Sequence, residues 1–544
     1  MTLFRRLLRG LALGLTGVGV ACGAGDPDTH STAEAGVGGR APCTECGPGV
    51  GDAGASADAG ASADAGASAD AGASADAGAS ADAGASADTD RVAIAEISFW
   101  QTLRIPLELN GSAIEPNAPV VTGKAGVLRV YVAPGEGFHA RALSAVLELD
   151  ADARGEPVAS SKPIRAASTD GEFGSTFNFP IDETRVLANT SYSITLRDGS
   201  DGRVLDRFPR TGKSALGAVE VPGNALHVVI VPILVGGVHA DVSDLKLADF
   251  RERVRAMYPL KDVEFSTHAE VAPQIEVSPD AGWDDLLEYL YALRASDAPA
   301  DNVFYYGLFT PKQRFADYCV SDCTVGYSTV AEPEDVESRG SLGLGIFPDG
   351  SNSDAPNTMA HELGHALGRD HAPCGVAKSD SGPFPYPGGK IGVWGFDSTK
   401  HQLLDPNEYG DVMGYCVPDW ISDYTYRALF RRLSQVNGEV ISAKALSVEP
   451  PVAVHRGHRR ILLRANGSLA WGGRFTPKYL PAGPRRDVRL LGAKGQLLDV
   501  IAVPFRRFAD STGGMLFLPQ ATLDGRSDVS AIGVGSAELL LKPP

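Results

Sequence analysis

The chain has 544 residues, 43% of them hydrophobic, with seven cysteines and a formal net charge of −18. That length exceeds what one core can organise, so about two to four domains are expected, and an ordinary apolar fraction excludes wholesale disorder. An acidic chain without a Lys and Arg cluster excludes nucleic acid as a partner, since binding phosphates needs grouped cations.

Arg5, Arg6 and Arg9 precede a short apolar run over 10–21. A helix that crosses a bilayer needs about 20 apolar residues, so this run is read as a targeting segment instead. It ends in Gly19-Val20-Ala21-Cys22, which resembles a bacterial lipoprotein cleavage box except at Gly19, where an aliphatic residue is usual. Residues 1–22 are therefore expected to be a lipoprotein-type signal peptide with Cys22 lipidated. The protein would then be exported and anchored at the bacterial outer membrane or cell surface, touching the membrane only through that lipid. Simple secretion is the alternative. Setting Cys22 aside leaves Cys43, Cys46, Cys319, Cys323, Cys374 and Cys416. An even count in an exported chain points to disulfides. A zinc ribbon would need two close Cys pairs at a suitable distance, and none is present.

From Asp52 to Asp88 an Asp recurs every six residues in a repeat of Asp-Ala-Gly-Ala-Ser-Ala. With no large apolar side chain, the repeat cannot offset the entropy of an ordered backbone or stack as a solenoid. Residues 23–90 are read as a disordered low-complexity linker, reaching about 45 Å as a flexible coil.

Residues 91–222 carry short β patterns at 92–99, 127–132, 143–149 and 191–196, separated by Gly, Pro and Asn turns. This spacing predicts a β-sandwich of immunoglobulin-like type, serving as spacer, pro-segment or binding module. The pattern changes at about residue 223. The run 226–235 is apolar throughout, as in a strand buried on both faces. Leu247, Phe250, Val254 and Met257 then share a helical face, with Ser243 or Asp244 placed to cap it. A second helix holds Trp283, Leu286, Leu287, Leu290 and Tyr291, and 303–309 reads as another strand. Strands alternating with helices predict an α/β layer over 223–435. Short strands return at 461–463, 488–491 and 498–503, which predicts a small C-terminal β domain over 436–544.

The segment that carries chemistry is His361-Glu362-Leu363-Gly364-His365-Ala366-Leu367-Gly368-Arg369-Asp370-His371. Residues four apart stack on one helical face, so His361 and His365 can meet one cation. Glu362 is adjacent without being a ligand. Gly368 can end the helix in a left-handed turn, which lets the chain return with His371 as third ligand. Three ligands leave a fourth position for water, the mark of catalytic rather than structural zinc. An amphipathic helix that merely carries histidines is the plain alternative, but Gly368 and His371 at fixed offsets make a chance match rare.

With Met413 following in Asp411-Val412-Met413-Gly414-Tyr415-Cys416, the chain resembles the metzincin clan of zinc metalloproteases over roughly residues 225–435. The resemblance implies a metzincin-like α/β catalytic domain at 223–435 and one Zn2+ held by His361, His365 and His371. Met413 would form an apolar floor, Glu362 would act as general base, and Tyr415 would be an extra ligand or a donor to the tetrahedral intermediate. It also implies that substrate pairs with an edge strand, for which 340–347 is the candidate. The segment Trp420, Ile421, Ser422, Asp423 and Tyr424 fits the helix that follows the Met-turn. A Cys374–Cys416 bridge would clamp the loop of His371 to that turn, and Cys319–Cys323 would close a small loop. Asp405, Asn407, Glu408 and Asp411 are candidates for Ca2+, with a solvated loop as the other reading. The expected function is hydrolysis of peptide bonds in extracellular proteins by a zinc-activated water, in a monomer acting on protein or peptide substrates. The alternative of a different class is a surface-tethered binding or adhesion protein with a vestigial metal site.

Overall fold

The strand Val92–Trp100 starts with buried and half-buried residues in alternation, then becomes buried on both faces over its second half. One face points into a sandwich core. The other is covered near Trp100 by Phe396, which arrives from the far side of the chain. The computed structural model describes residues 91–223, 225–376, 383–438, 457–479 and 481–541. The signal segment with Cys22, the repeat linker, Cys43 and Cys46 lie outside the described residues.

Residues 91–222 form two antiparallel sheets. In one, Val92–Trp100 lies between Arg104–Leu109 and Gly126–Pro134, with Phe177–Ile181 beyond. In the other, Arg141–Asp150 lies between Val158–Ile164 and Ser191–Asp198, with Val204–Phe208 beyond. Ile94, Leu128 and Val130 of the first sheet share one core with Leu143, Leu147 and Ile194 of the second. The four strands read from the sequence all fall inside these elements.

The next sheet has five strands. Ala225–Pro232 runs parallel to Asp262–Thr267 on one side and Val303–Phe309 on the other, and Gly340–Leu344 continues the parallel set. Alternate residues serve opposite faces, as the pleat requires. Ile230 and Tyr306 meet the helix Asp244–Met257 and the helix Ala355–Ala366 on one face. Val231 and Tyr305 meet the helix Trp283–Asp297 on the other. Ser243 stands at the cap position of the first helix, yet its hydroxyl makes no cap bond; only its carbonyl accepts from Leu247.

Gly340–Leu344 is not the edge that 340–347 was expected to provide. It is buried along its length, and the antiparallel strand Gly326–Ser328 lies outside it. Its glycines have a packing cause: a Cβ at Gly343 would lie 1.8 Å from the Tyr306 hydroxyl. Gly326 on the true edge is constrained likewise, since a Cβ there would lie 2.3 Å from Glu362 Oε1.

After the helix Asp423–Val436, the C-terminal part builds a seven-stranded antiparallel sheet between His458–Leu463 and Ala537–Leu540. The sheet curls until the Trp471 indole on one edge donates to Leu540 O on the other, 3.2 Å away. Ile461, Val488, Val503, Leu516 and Ile532 fill its interior, while Leu462, Met515 and Phe517 face outward into the core of Trp283–Asp297.

Two buried polar contacts weld these parts together. Lys124, in the loop before Gly126–Pro134, sends its ζ-amine to the carbonyls of Arg255 and Tyr258, each at 2.8 Å, and to Thr102 Oγ1, also at 2.8 Å. Thr102 Oγ1 itself donates to Ala256 O at 2.9 Å. The last carbonyls of a helix have no partner within the helix, and here the sandwich supplies one. Arg506, from the C-terminal sheet, binds Asp335 through both carboxylate oxygens, Nη2 to Oδ1 at 3.0 Å, with both side chains only 2% exposed. Lys124→Met should leave Arg255 O without its side-chain donor and Tyr258 O with only Leu260 N, and cost about 2 kcal/mol. Urea unfolding of the two proteins measures it, and a difference near zero would mean the lysine is not a weld.

Candidate metal centre

The helix Ala355–Ala366 is fixed along its length before its histidines are considered. Met359, Ala360 and Leu363 are buried in the core beneath it. The Tyr258 hydroxyl donates to Ala360 O at 2.7 Å, and the Ser341 hydroxyl to Glu362 O at 3.0 Å. The helix ends where Gly368 adopts φ +79°, a conformation that costs a residue with a Cβ about 1–2 kcal/mol. Gly368 N then donates to His365 O at 2.8 Å and Arg369 N to Gly364 O at 2.9 Å, and the chain turns back. That reversal brings His371 to the face already holding His361 and His365.

The three rings converge on their Nε2 atoms. His361 and His365 Nε2 are 2.9 Å apart, and His365 and His371 Nε2 are 3.2 Å apart. On the far side of two rings, His361 Nδ1 lies 2.7 Å from Val412 O and His365 Nδ1 2.6 Å from Arg369 O. A carbonyl only accepts, so each Nδ1 carries the hydrogen and each Nε2 presents a bare lone pair. Burial keeps these rings neutral: it pulls His361 down to about 4, with His371 nearby adding to the effect, and moves His365 in the same direction. Bare lone pairs facing one another at this range repel unless an electron-poor atom lies among them. The donor set therefore fits a cation, and imidazoles at this spacing suit zinc.

Glu362 is 3% exposed, and its Oε2 has no hydrogen-bond partner among the described residues. Burial raises its pKa well above the carboxylate range, and the negative charge of Asp510 adds to that. Met413 is buried under the helix; a Cβ at Gly364, between His361 and His365, would lie 2.4 Å from its sulfur. Tyr415 Oη lies 3.1 Å from His371 Nε2 and donates to Asp510 Oδ1. Cys374 is bonded to Cys416 and Cys319 to Cys323. Around the first bridge Ala372 N donates to Met413 O at 2.9 Å and Tyr415 N to Cys374 O at 2.8 Å, so the loop of His371 and the turn of Met413 are laced by backbone as well as sulfur.

The proposed calcium set does not assemble. Asp411 is buried and spends its carboxylate on its own chain, accepting from Met413 N and from Ser422 N, each at 2.9 Å. Asp405 Oδ1 folds back onto Asn407, accepting from its backbone N at 2.8 Å. These are turn-forming uses of a carboxylate, and among the described residues His361, His365, His371 and Asp510 are the one acidic or ligating group placed to hold a metal. The helix expected from Trp420 begins later, at Asp423, because the Ser422 hydroxyl caps it by accepting from Thr425 N at 3.1 Å. Trp420 belongs to a short strand instead.

Asp510 is the member that the sequence did not reveal. Its Oδ1 lies 3.1 Å from His371 Nε2, and one donor atom from each of the four residues lies within 4.8 Å of the others. It stands 139 residues from His371, on the connection between Leu497–Arg507 and Gly514–Pro519, in a stretch with no ligand spacing of its own.

A family model described as Peptidase M66 matches residues 337–416, which span the ligand helix, the third histidine and the turn of Met413. This match supports a metallopeptidase. No curated protein matches the chain. Among solved structures, metalloproteinase-II from Bacteroides fragilis is 12% identical over 61% of this chain and 87% of that one, with a TM-score of 0.23. A β-glucuronidase from Bacteroides uniformis is 13% identical over 40% of this chain, spanning only 29% of its own length, with a TM-score of 0.15. Likenesses this weak do not define a shared fold.

The Cys374–Cys416 bridge closes a loop with a sequence separation of 42, for which the chain-entropy relation gives about 4 kcal/mol. Its ends sit beside His371 and Met413. The double variant Cys374→Ala with Cys416→Ala should therefore lose metal affinity before it loses the β sheets. Competition with a chelator, run beside far-ultraviolet circular dichroism, checks this; sheets that melt together with the site would contradict it.

Proposed function

We propose that the protein is a zinc-dependent endopeptidase of metzincin type, acting as a monomer on protein or peptide substrates outside the cell. One observation carries the reading: a buried carboxylate, Glu362, with an unengaged oxygen lies beside three converging imidazoles on one helical turn and its return. Zinc held by His361, His365 and His371 would supply a Lewis acid that polarises water and the scissile carbonyl.

The chain's own residues would do the rest. Glu362 takes a proton from water at Oε2, and its burial favours the protonated form long enough to pass that proton to the leaving amine. The Tyr415 hydroxyl, beside His371, can donate to the carbonyl oxygen as charge develops there. Met413 and the Cys374–Cys416 bridge hold His361 and His371 in register. The edge strand Gly326–Ser328 presents backbone groups to an extended peptide next to Glu362. A tethered binding protein with a vestigial metal site gives Glu362 no task in its buried position, so the hydrolytic reading is preferred. The reading includes export, with Cys22 as the anchor; Cys22→Ser should move the protein from the membrane fraction to the soluble one.

The purified protein should hold about one zinc per chain by elemental analysis, and a chain that neither contains nor takes up zinc would end the proposal. Glu362→Gln should keep that zinc and its fold while peptide turnover falls by about three orders of magnitude. Retained turnover would remove Glu362 as the base.

A further inference from the structure

The connection that carries Asp510 crosses the open edge of the central sheet. Thr329, just past the edge strand Gly326–Ser328, bridges Phe508 in antiparallel fashion. Ala509 N donates to Ser328 O at 2.8 Å and Val330 N to Arg507 O at 3.3 Å. Residues 507–509 are thus an extra strand laid on the catalytic edge. Its side chains anchor it there. Phe508 is fully buried with its ring centroid 5.0 Å from that of Tyr327, Arg507 pairs with Asp370 next to His371, and Arg506 is locked to Asp335. The next residue is Asp510, whose Oδ1 lies against His371 Nε2 and whose Oδ2 has no partner among the described residues.

An extended segment paired antiparallel to the edge, delivering an oxygen to the ligand cluster, has the placement a substrate peptide would take. We propose that residues 506–511 are a built-in inhibitor: the strand fills the substrate's place, and the Asp510 carboxylate is the fourth metal ligand where water and the scissile carbonyl would otherwise bind. This rests on the peptidase reading above. The oxygen offered to the cluster belongs to a side chain and not to a scissile carbonyl. A site with four protein ligands is closed, and a closed site has no use for the free carboxylate oxygen of Glu362. The two features fit one protein if the fourth ligand is removable. The latent form is then the one described, and the working form is reached when the C-terminal sheet is displaced or severed.

The test uses the full chain, loaded with zinc for turnover of a mixed peptide library and with cobalt for its visible spectrum. Asp510→Ala is compared with wild type, and Asp510→Asn, nearly equal in shape, serves if the alanine variant misfolds. Both variants should turn over peptides at least about tenfold faster than wild type. The cobalt spectrum of the variants should change when acetohydroxamate is added, while that of wild type should not, because its fourth position is taken. Wild type that binds acetohydroxamate as tightly as the variants, or variants no faster than an active wild type, would overturn the inference. The two readings fail differently. Hydroxamate binding gained on substitution without any peptide turnover keeps the inhibitory ligand and removes the peptidase. Turnover by wild type with an open cobalt spectrum does the reverse.

Discussion

Two backbone carbonyls decide what the metal centre can be. Val412 O and Arg369 O each take the Nδ1 hydrogen of a buried histidine, and only then do His361 and His365 present lone pairs to a common point. Partners of this kind set both the tautomer and the ring direction of a metal-binding imidazole. The requirement propagates outward. Val412 must hold its carbonyl under the helix, so the turn at Met413 must be rigid, and the buried Asp411 carboxylate fixes it by accepting from Met413 N and Ser422 N. Arg369 O is in place because Gly368 reverses the chain in a left-handed turn. The conspicuous histidines are thus the last link of a chain of backbone constraints.

That ordering explains what could be read from the sequence. His361, His365, Gly368 and His371 are local, and helix periodicity with one glycine suffices to bring them together. The apolar strand now placed at Ala225–Pro232 and the helices that begin at Asp244 and Trp283 were legible for the same reason, since each has its period within a single element. Contacts that join distant segments were not. Asp510 carries no local pattern and gains its meaning from Phe508 and Ala509 seating against Thr329 and Ser328. The three-residue edge strand was hidden because its glycine answers to Glu362 rather than to strand propensity, and Gly340–Leu344, with its own glycines, was mistaken for it. The acids at 405–411 left calcium and a plain loop both open, because turn-forming and metal-binding carboxylates share a composition and differ only in where their oxygens point.

The N-terminal sandwich is hydrogen-bonded to the stretch around Met413. Thr102 O accepts from Phe396 N and from the Trp420 indole, both at 2.8 Å, and Arg104 N donates to Trp394 O at 2.8 Å. The turn at 101–103 therefore braces the stretch on either side of Met413, from Trp394 to Trp420. Its reach into the metal centre is indirect, through the geometry of that stretch, but it is continuous.

The shared core has a consequence for how such a chain can change over generations. Ile94, Leu147 and Ile194 of the sandwich belong to the same apolar body as Phe250, Leu363 and Met413. A boundary near residue 222 is visible in the sequence as a change of pattern, yet it does not mark a place where the chain can be parted. Recombination there would separate Lys124 from the helix end that it closes and bare apolar surface on both fragments. The sandwich and the layer that carries His361 thus rest on one apolar body rather than two, and a cut at that boundary would destabilise both.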